Sequence, residues 1–367
     1  MGVGLPLLSP ALSGPKWMGN CSSNSGGGVV EQKSRQEVSS RDSGVPPPPN
    51  PPAKPGGCVD VDVAEAAVPS TIENDDYRIP INVYTPCKPL QAVAFFIHGG
   101  IFYHGDKESH PTISNGLAEL GLLVVTASFR NGEEAPHETN ITMRDLTDVI
   151  QYCKQRWCGV PFGLVGSSSG GFFALRLSQS LGPASVDFCI PICPVADPFK
   201  RASYLRSSIS GSARSEGYAS FHSSEKSLQI LEKQLSFWKD DDSMKEAGES
   251  LRSRQASVPT LLIIGSADKN VPLKITLDVQ SWADRTICIG GKGHELCDKI
   301  VEGGGYNCYL SDIDRFLEFC LAQRKDQGAE CVNMPQAALR CLEEMKHAVK
   351  AVLILRKFVS ASTSISP

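Results

Sequence analysis

The sequence predicts an α/β fold built on a mostly parallel, doubly wound sheet. Apolar runs of strand length alternate with helix-like segments from about residue 60 to about residue 324. Several of these runs are apolar throughout, as strands buried on both faces of a parallel sheet are. Hydrophobic residues make up 41% of the 367-residue chain, which is enough apolar material for a large core. Together these observations indicate helices packed on both faces of one sheet.

The strands follow from the apolar runs in chain order. The first run alternates apolar and polar residues like a half-buried strand, whereas the later ones are continuous. Glycines end several of them, as expected where a buried strand turns toward a helix. The predicted strands are 77–86, 91–100, 121–130, 160–166, 186–195 and 259–266, with a further short strand just before His294.

Helices are predicted from apolar residues at helical spacing. Residues 138–157 place Ile141, Leu146, Ile150 and Cys153 on one side of a helix. A helix is also expected from Pro272 to about Asp284, and an amphipathic one over 311–323 with Ser311 as its N-cap.

The composition divides the chain into three parts. Residues 1–57 are rich in Gly, Ser and Pro and are predicted to be a disordered tail. Residues 58–324 form the predicted α/β domain, and 325–367 form a predicted C-terminal extension that is helical around 337–359. The polar stretch at about 197–257 breaks the strand–helix alternation and is interpreted as an inserted cap over the carboxyl edge of the sheet. A plain surface excursion is the alternative.

The tail contains a match to an acylation motif. Met18 is followed by Gly19, Cys21 and Ser23, the spacing expected for myristoylation of Gly19 with palmitoylation of Cys21. The motif requires translation to begin at Met18. In that case the tail would hold the protein on a membrane, since two acyl chains suffice for stable anchoring.

Several classes of protein are excluded by composition and by the lengths of the runs. A formal net charge of −4 argues against a protein that binds nucleic acid through bulk electrostatics. No apolar run approaches the ~20 residues of a membrane-spanning helix. The 13 cysteines are scattered, several within apolar runs, which favours free thiols and a cytoplasmic location. Their spacing does not match a zinc-ligand pattern, so we expect no metal.

The sharpest motif is Gly-x-Ser-x-Gly after an apolar strand and before a helix-forming run. This context is the one in which a serine nucleophile occupies a strained strand-to-helix turn. Small residues are needed two positions before and after that serine. Among three consecutive serines only Ser168 meets this condition, with Gly166 and Gly170. A glycine-rich turn without chemistry is the alternative.

A serine hydroxyl needs an adjacent base, and the base needs a carboxylate that orients it. His294 follows a short apolar strand in a glycine-rich segment, whereas its rival His347 lies in a charged, helix-like tail. Asp268 follows a buried strand and lies between the serine and the histidine in sequence. Its rival Asp197 lies where the chain enters the inserted segment. We therefore predict a triad of Ser168, Asp268 and His294.

Acyl transfer also needs donors for the oxygen that becomes negative. The segment His98-Gly99-Gly100-Ile101 ends a buried strand, and its glycines allow backbone N–H groups to turn inward. The predicted oxyanion hole is formed by the N–H groups of Gly100 and Ile101, together with that of Ser169. We expect His98 to be a structural hydrogen-bonding residue, and assign no role to His104 or His110.

These motifs resemble those of the α/β-hydrolase superfamily. HGGIFYHGDK at 98–107 is similar to the HGGxW and GDK segments of its carboxylesterase and kynurenine-formamidase-like branch, and VVTASFRNGEEAPHE at 124–138 is similar to the segment after the next strand. GSSSGG, SADKNVP and GKGHEL match the nucleophile, acid and histidine segments in order. The resemblance covers roughly 75–324 and departs at Phe102, where that subgroup has Trp.

The resemblance implies a cofactor-free serine hydrolase that cleaves carboxylic esters through an acyl-enzyme. One alternative is an arylformamidase acting on N-formylkynurenine, and another is a non-catalytic receptor or scaffold that kept only the fold. The expected partner is a small ester or amide substrate, with peripheral membrane association through the tails. The sequence leaves the acyl group, the leaving group and the oligomeric state open.

Overall fold

The computed structural model describes residues 61–73, 75–219, 221–253, 258–297 and 309–326. The predictions for the N-terminal tail, including Gly19 and Cys21, lie outside these residues. The same holds for the helix expected at 337–359.

The described residues form one eight-stranded sheet with the order β1-β2-β4-β3-β5-β6-β7-β8. The pairs β1/β2 and β2/β4 are antiparallel, and the remaining neighbours are parallel. The strands are β1 Asp62–Pro69, β2 Arg78–Thr85, β3 Ala92–Ile97, β4 Leu122–Ala127, β5 Phe162–Ser167, β6 Phe188–Ile192, β7 Leu261–Gly265 and β8 Arg285–Ile289.

Helices connect the strands and cover both faces of the sheet. Short 3₁₀ helices follow at Leu277–Trp282 and His294–Cys297. The α-helices are α1 Pro111–Glu119, α2 Thr139–Arg156, α3 Ser169–Leu181, α4 Pro198–Ser210, α5 Ser224–Phe237, α6 Asp241–Arg252, α7 Leu273–Thr276 and α8 Leu310–Asp326. The α/β prediction and the mostly parallel sheet are confirmed.

The alternation of side chains along β3 explains why its sequence is apolar throughout. Val93, Phe95 and Ile97 enter one hydrophobic core, which is shared with α2 and α3. Ala94 and Phe96 enter the other core, which is shared with α1 and α8. Successive residues of a strand point to opposite faces of the sheet. Both sets of side chains are therefore buried, and apolar, in a strand that is covered on both faces.

Several elements differ from the sequence prediction. The helix expected from Pro272 to about Asp284 is a single short α-helix, α7, followed by the 3₁₀ helix Leu277–Trp282. The strand β1 was not predicted, because only Val68 is buried and three of its eight residues are alanine, which is a weak strand former. Ser311 is not an N-cap: α8 begins at Leu310, and the carbonyl of Tyr309 accepts a hydrogen bond from Ile313. The described residues of the 197–257 segment form three helices, α4 to α6, where the sequence indicates only one helical patch, around 228–238.

The described cysteines do not all behave alike. Cys153, Cys189 and Cys320 are buried thiols, and burial raises the pKa of Cys189 and of Cys320 to about 12. Cys87, by contrast, is disulfide-bonded, so the prediction of free cysteines is wrong at this position. None of the helices within the described ranges has the length and apolar character needed to span a bilayer.

A buried ion pair joins the segment after β4 to α2. The Nε and Nη2 atoms of Arg130 donate to Asp145 over 2.9 and 2.6 Å, and the backbone N–H of Arg130 donates to the same carboxylate. The side chain of Asp145 is fully buried, whereas that of Arg130 is 15% exposed. The contact raises the pKa of the guanidinium, so the charged pair is retained on folding.

We expect Asp145→Ala to lower the free energy of unfolding by about 2 kcal/mol, because three N–H groups of Arg130 lose their buried acceptor while Asp75 still pairs with the guanidinium. Urea unfolding followed by circular dichroism measures this loss. Asp241→Ala is the matched control: Asp241 pairs with Arg206 at the surface, and both side chains are more than 40% exposed. Such a pair contributes less than about 1 kcal/mol. Equal losses in the two variants would contradict the assignment of Arg130–Asp145 as an anchor.

Candidate active site

Ser168 lies at the sharp turn between β5 and α3. Its φ of 53° and ψ of −118° are unusual for a residue with a side chain, and they hold the serine at the end of the strand. The N–H of Ser168 donates to the carbonyl of Ile192 on the neighbouring strand over 2.9 Å. A strained backbone anchored to the sheet gives the side chain one defined direction.

The two flanking glycines are needed because the backbone passes itself closely at this turn. A side chain at Gly166 would collide with the carbonyl of Gly170. One at Gly170 would collide with the carbonyls of Ile97 and His98. This close approach is the physical reason for the motif spacing that selected Ser168.

The structure brings Ser168, His294 and Asp268 together in one hydrogen-bonded chain. Nε2 of His294 lies 2.9 Å from Oγ of Ser168, and Nδ1 lies 2.7 Å from Oδ2 of Asp268. An ionised carboxylate can only accept a hydrogen bond, so Nδ1 carries a proton and Nε2 is left to accept the proton of the serine. This is the tautomer that a general base needs.

Asp268 is held as a charged group although it is almost completely buried. Burial raises the pKa of its carboxyl, but His294 and the N–H groups of Val271 and Asn270 lower it more, so the net pKa lies below the usual value. Both N–H groups donate to Oδ1, over 2.9 and 2.7 Å. The carboxylate is therefore ionised at neutral pH and ready to orient the imidazole.

Asp197, the rival acid, has a different task. Its side chain caps the first turn of α4 by accepting from the N–H of Lys200 over 2.9 Å, and it forms an ion pair with Arg252. Asp197 therefore links α4 to α6.

Two of the three predicted oxyanion donors line the same cavity as the serine. Ser168, His294, Gly100 and Ile101 border a cavity of about 400 Å³. Gly100 and Ile101 have φ values of 131° and 65°, so the chain turns sharply after β3. Within the described part of the chain, neither their N–H groups nor that of Ser169 donate to another protein group. All three remain available to an oxyanion.

His98 is buried at the end of β3 and contacts the backbone of the segment that follows it. The ring stacks on Phe129 with 4.2 Å between centroids, and Nδ1 lies 2.7 Å from the carbonyl of Gly99. Burial lowers the pKa of His98 to about 4, so the ring is neutral. His110, to which the sequence assigned no role, accepts from the N–H of Gly99 over 3.3 Å and also borders the cavity.

Phe102 does not border the cavity. It is buried among Phe172 and Phe173 of α3 and Phe237 and Trp238 at the end of α5, with ring centroids 5.4–5.6 Å apart. The difference from Trp at this position therefore affects how the segment after β3, which contains Gly100 and Ile101, packs against α3 and α5.

Sequence reasoning missed Arg201, which is completely buried on α4. Its guanidinium donates to the carbonyl of Asn270 over 3.0 Å, to the side-chain oxygen of Asn270, and to Gln234 on α5 over 2.7 Å. Burial lowers its pKa to about 10. The backbone N–H of Asn270 in turn donates to Asp268. Arg201 therefore positions the acid loop, which is the segment 268–271 that follows β7. The sequence did not indicate that Arg201 is buried, because it is one of many charged residues in the polar 197–257 segment.

We expect Arg201→Met to lower the free energy of unfolding by about 3 kcal/mol, because two oxygens of Asn270 and the buried side-chain oxygen of Gln234 lose their donors. We also expect kcat to fall by about 10- to 100-fold, because the acid loop is no longer held in place. Urea unfolding and steady-state kinetics on an ester measure the two effects. Arg206→Met is the control, since this arginine of the same helix forms an exposed ion pair with Asp241. A loss of stability with unchanged kcat would contradict the positioning role.

Comparisons with known proteins agree with this architecture. Residues 94–269 match a family model described as alpha/beta hydrolase fold. Comparison with curated protein sequences gave no significant match. An esterase from Pyrobaculum calidifontis is 17% identical with a TM-score of 0.55, over 70% of this chain and 85% of its own.

Two further solved structures extend the same result. A fungal esterase from Rhizomucor miehei is 16% identical with a TM-score of 0.56, over 72% of this chain and 85% of its own. Brefeldin A esterase, a bacterial homologue of human hormone-sensitive lipase, is 15% identical with a TM-score of 0.57, over 74% and 80% of the two chains. The protein has the α/β-hydrolase fold.

Proposed function

We propose that the protein is a serine hydrolase of carboxylic esters. The observation that carries this proposal is the hydrogen-bonded chain Ser168–His294–Asp268, whose serine opens on a cavity bordered by two candidate oxyanion donors. The esterases of the same fold support the reaction class.

The proposed reaction has two steps. Ser168 attacks the acyl carbon while Nε2 of His294 takes its proton, and Asp268 stabilises the imidazolium that forms. The oxyanion receives hydrogen bonds from the N–H groups of Gly100, Ile101 and Ser169. The leaving alcohol takes the proton from His294. Water then attacks the acyl carbon while His294 accepts its proton, and that proton passes to Oγ of Ser168 as the carboxylic acid leaves.

The cavity supports a small acyl group. Its volume of about 400 Å³ lies toward the lower end of ligand pockets, which span about 300–1,000 Å³. We therefore expect short-chain esters, such as acetate and butyrate, to be cleaved faster than esters of decanoate.

Labelling with a fluorophosphonate probe tests the nucleophile. Intact mass and peptide mapping should show one adduct on Ser168, absent in His294→Ala. Kinetics on p-nitrophenyl esters of increasing chain length, with N-formylkynurenine beside them, then tests the substrate class. Faster turnover of N-formylkynurenine than of every ester would favour an arylformamidase. An absent adduct together with retained ligand binding would favour a receptor or scaffold.

A further inference from the structure

Two cysteines lie beside the candidate base. Cys193 follows β6, and Cys297 ends the 3₁₀ helix that begins at His294. One ligand atom from each of the three side chains lies within 4.8 Å of the other two. Both thiols are 99% buried, yet Cys297 also borders the cavity that contains Ser168. The cluster thus lies inside the protein with a route from solvent.

The chain at Cys193 is bent into a costly conformation. Its φ of 44° is a left-handed value that residues with side chains seldom adopt. The N–H of Cys193 donates to Ile263 over 2.8 Å, and the preceding carbonyl, of Ile192, accepts from Ser168. Cys193 is therefore held beside the nucleophile turn by hydrogen bonds from both neighbouring strands. Backbone strain of this kind is concentrated at functional sites.

We propose that Cys193, Cys297 and His294 form a binding site for one thiophilic divalent ion, such as Zn²⁺, and that the bound ion switches the hydrolase off. Two thiolates and an imidazole are a recognised zinc ligand set that leaves a fourth position for water or substrate oxygen. In a tetrahedral zinc site, ligand atoms are about 3.5–3.8 Å apart. The three side chains therefore need to approach one another by only about 1 Å.

Inhibition follows from the use that the triad makes of the imidazole. Nε2 of His294 faces Ser168, and Nδ1 faces Asp268. An ion bound to Nε2 removes the lone pair that accepts the serine proton. An ion bound to Nδ1 displaces the proton that Asp268 holds there. Ligation of either nitrogen therefore stops proton transfer, whereas removal of the ion by a chelator restores it.

Binding is tested first, without reference to hydrolysis. Metal-free full-length protein, handled without oxygen so that its free thiols stay reduced and the Cys87 disulfide stays intact, is titrated with Co²⁺ and followed by thiolate-to-cobalt charge-transfer absorption. We expect one equivalent to bind to the wild-type protein. In Cys193→Ser and Cys297→Ser the affinity should fall by more than about 100-fold, because loss of even an outer-shell partner costs about 10–100-fold. Cys158→Ser is the control, since this exposed cysteine lies outside the cluster.

The second measurement follows the nucleophile. One equivalent of Zn²⁺ should slow fluorophosphonate labelling of Ser168 in the wild-type protein and in Cys158→Ser, and should leave labelling unchanged in the two cluster variants. Equal inhibition in all four proteins would place the ion elsewhere and overturn the proposal. An absence of charge-transfer absorption in the wild-type protein would overturn it as well.

Zinc-edge X-ray absorption of the wild-type protein makes the result independent of how the variants fold. Two sulfur ligands and one imidazole nitrogen support the site, whereas a shell of oxygen and nitrogen alone contradicts it. The regulatory effect rests on the proposed hydrolase function, but the binding does not. Failure of that function appears as an unlabelled Ser168 in metal-free protein, and the cobalt titration still reports on the site.

Discussion

Ser168→Ala is expected to lower turnover of an ester substrate by about 10⁶-fold, as in serine hydrolases whose triad acts as a unit. In the proposed mechanism, the hydroxyl that lies 2.9 Å from Nε2 of His294 forms the acyl-enzyme, and alanine has no atom that can replace it. The oxyanion donors and the cavity stay in place, so a residual rate above that of water should remain. Steady-state kinetics of both proteins measures the loss, with the wild-type active sites counted by burst titration.

Ser167→Ala is the matched control, because it removes a hydroxyl one residue away. Ser167 ends β5, and its Oγ is buried with no hydrogen-bond partner among the described residues. Its removal should therefore change kcat less than about threefold and should not lower stability. A loss under tenfold in Ser168→Ala would mean that the nucleophile is elsewhere. A large loss in both variants would point to disruption of the turn.

Asp268→Asn is expected to lower kcat by about 10⁴-fold while the fold is retained, as the corresponding change does in other triads. The amide can keep accepting from the N–H groups of Asn270 and Val271. Its NH₂ group then faces Nδ1 of His294, which favours the tautomer with the proton on Nε2. In that tautomer the histidine cannot accept the serine proton.

Asp197→Asn separates this effect from the loss of any buried carboxylate. Asp197 also accepts a backbone N–H and is also buried, but it lies at the start of α4 and pairs with Arg252. We expect this variant to lose stability and to keep kcat within about threefold in the folded protein, since Asp197 makes no contact with the imidazole. A larger loss of kcat in Asp197→Asn than in Asp268→Asn would exchange the assignments of the two acids.

The pH dependence of stability offers a further check on Asp268. A carboxyl whose pKa is lowered on folding contributes stability that is complete above its unfolded pKa, near 3.9, and is lost as the pH falls through the folded pKa. The stability difference between the wild-type protein and Asp268→Asn should therefore shrink as the pH is lowered below about 4. Urea unfolding at a series of acidic pH values measures this difference.

Much of the fold could be predicted because the signals are local. A strand covered on both faces must be apolar throughout, and the runs that became β3 to β7 satisfy this condition. The strand β1 was missed for the opposite reason: it is an exposed edge strand with only Val68 buried. The helices of the 197–257 segment were difficult to predict because the segment is rich in serine and charged residues. Tyr204, Phe237 and Met244 stabilise these helices by packing in the hydrophobic core.

The sequence alone identified the residues that the turn geometry requires. Two glycines at fixed offsets selected Ser168 among three serines. The position of Asp268 after a buried strand and of His294 in a glycine-rich segment selected these two over Asp197 and His347. The tertiary structure decided what surrounds them. Arg201 beneath the acid loop and Cys193 beside His294 come from distant segments. The contact of α4 with the segment after β7, and the pairing of β6 with β5 and β7, bring them to the site. Such contacts between distant segments leave no periodic or motif signal in the chain.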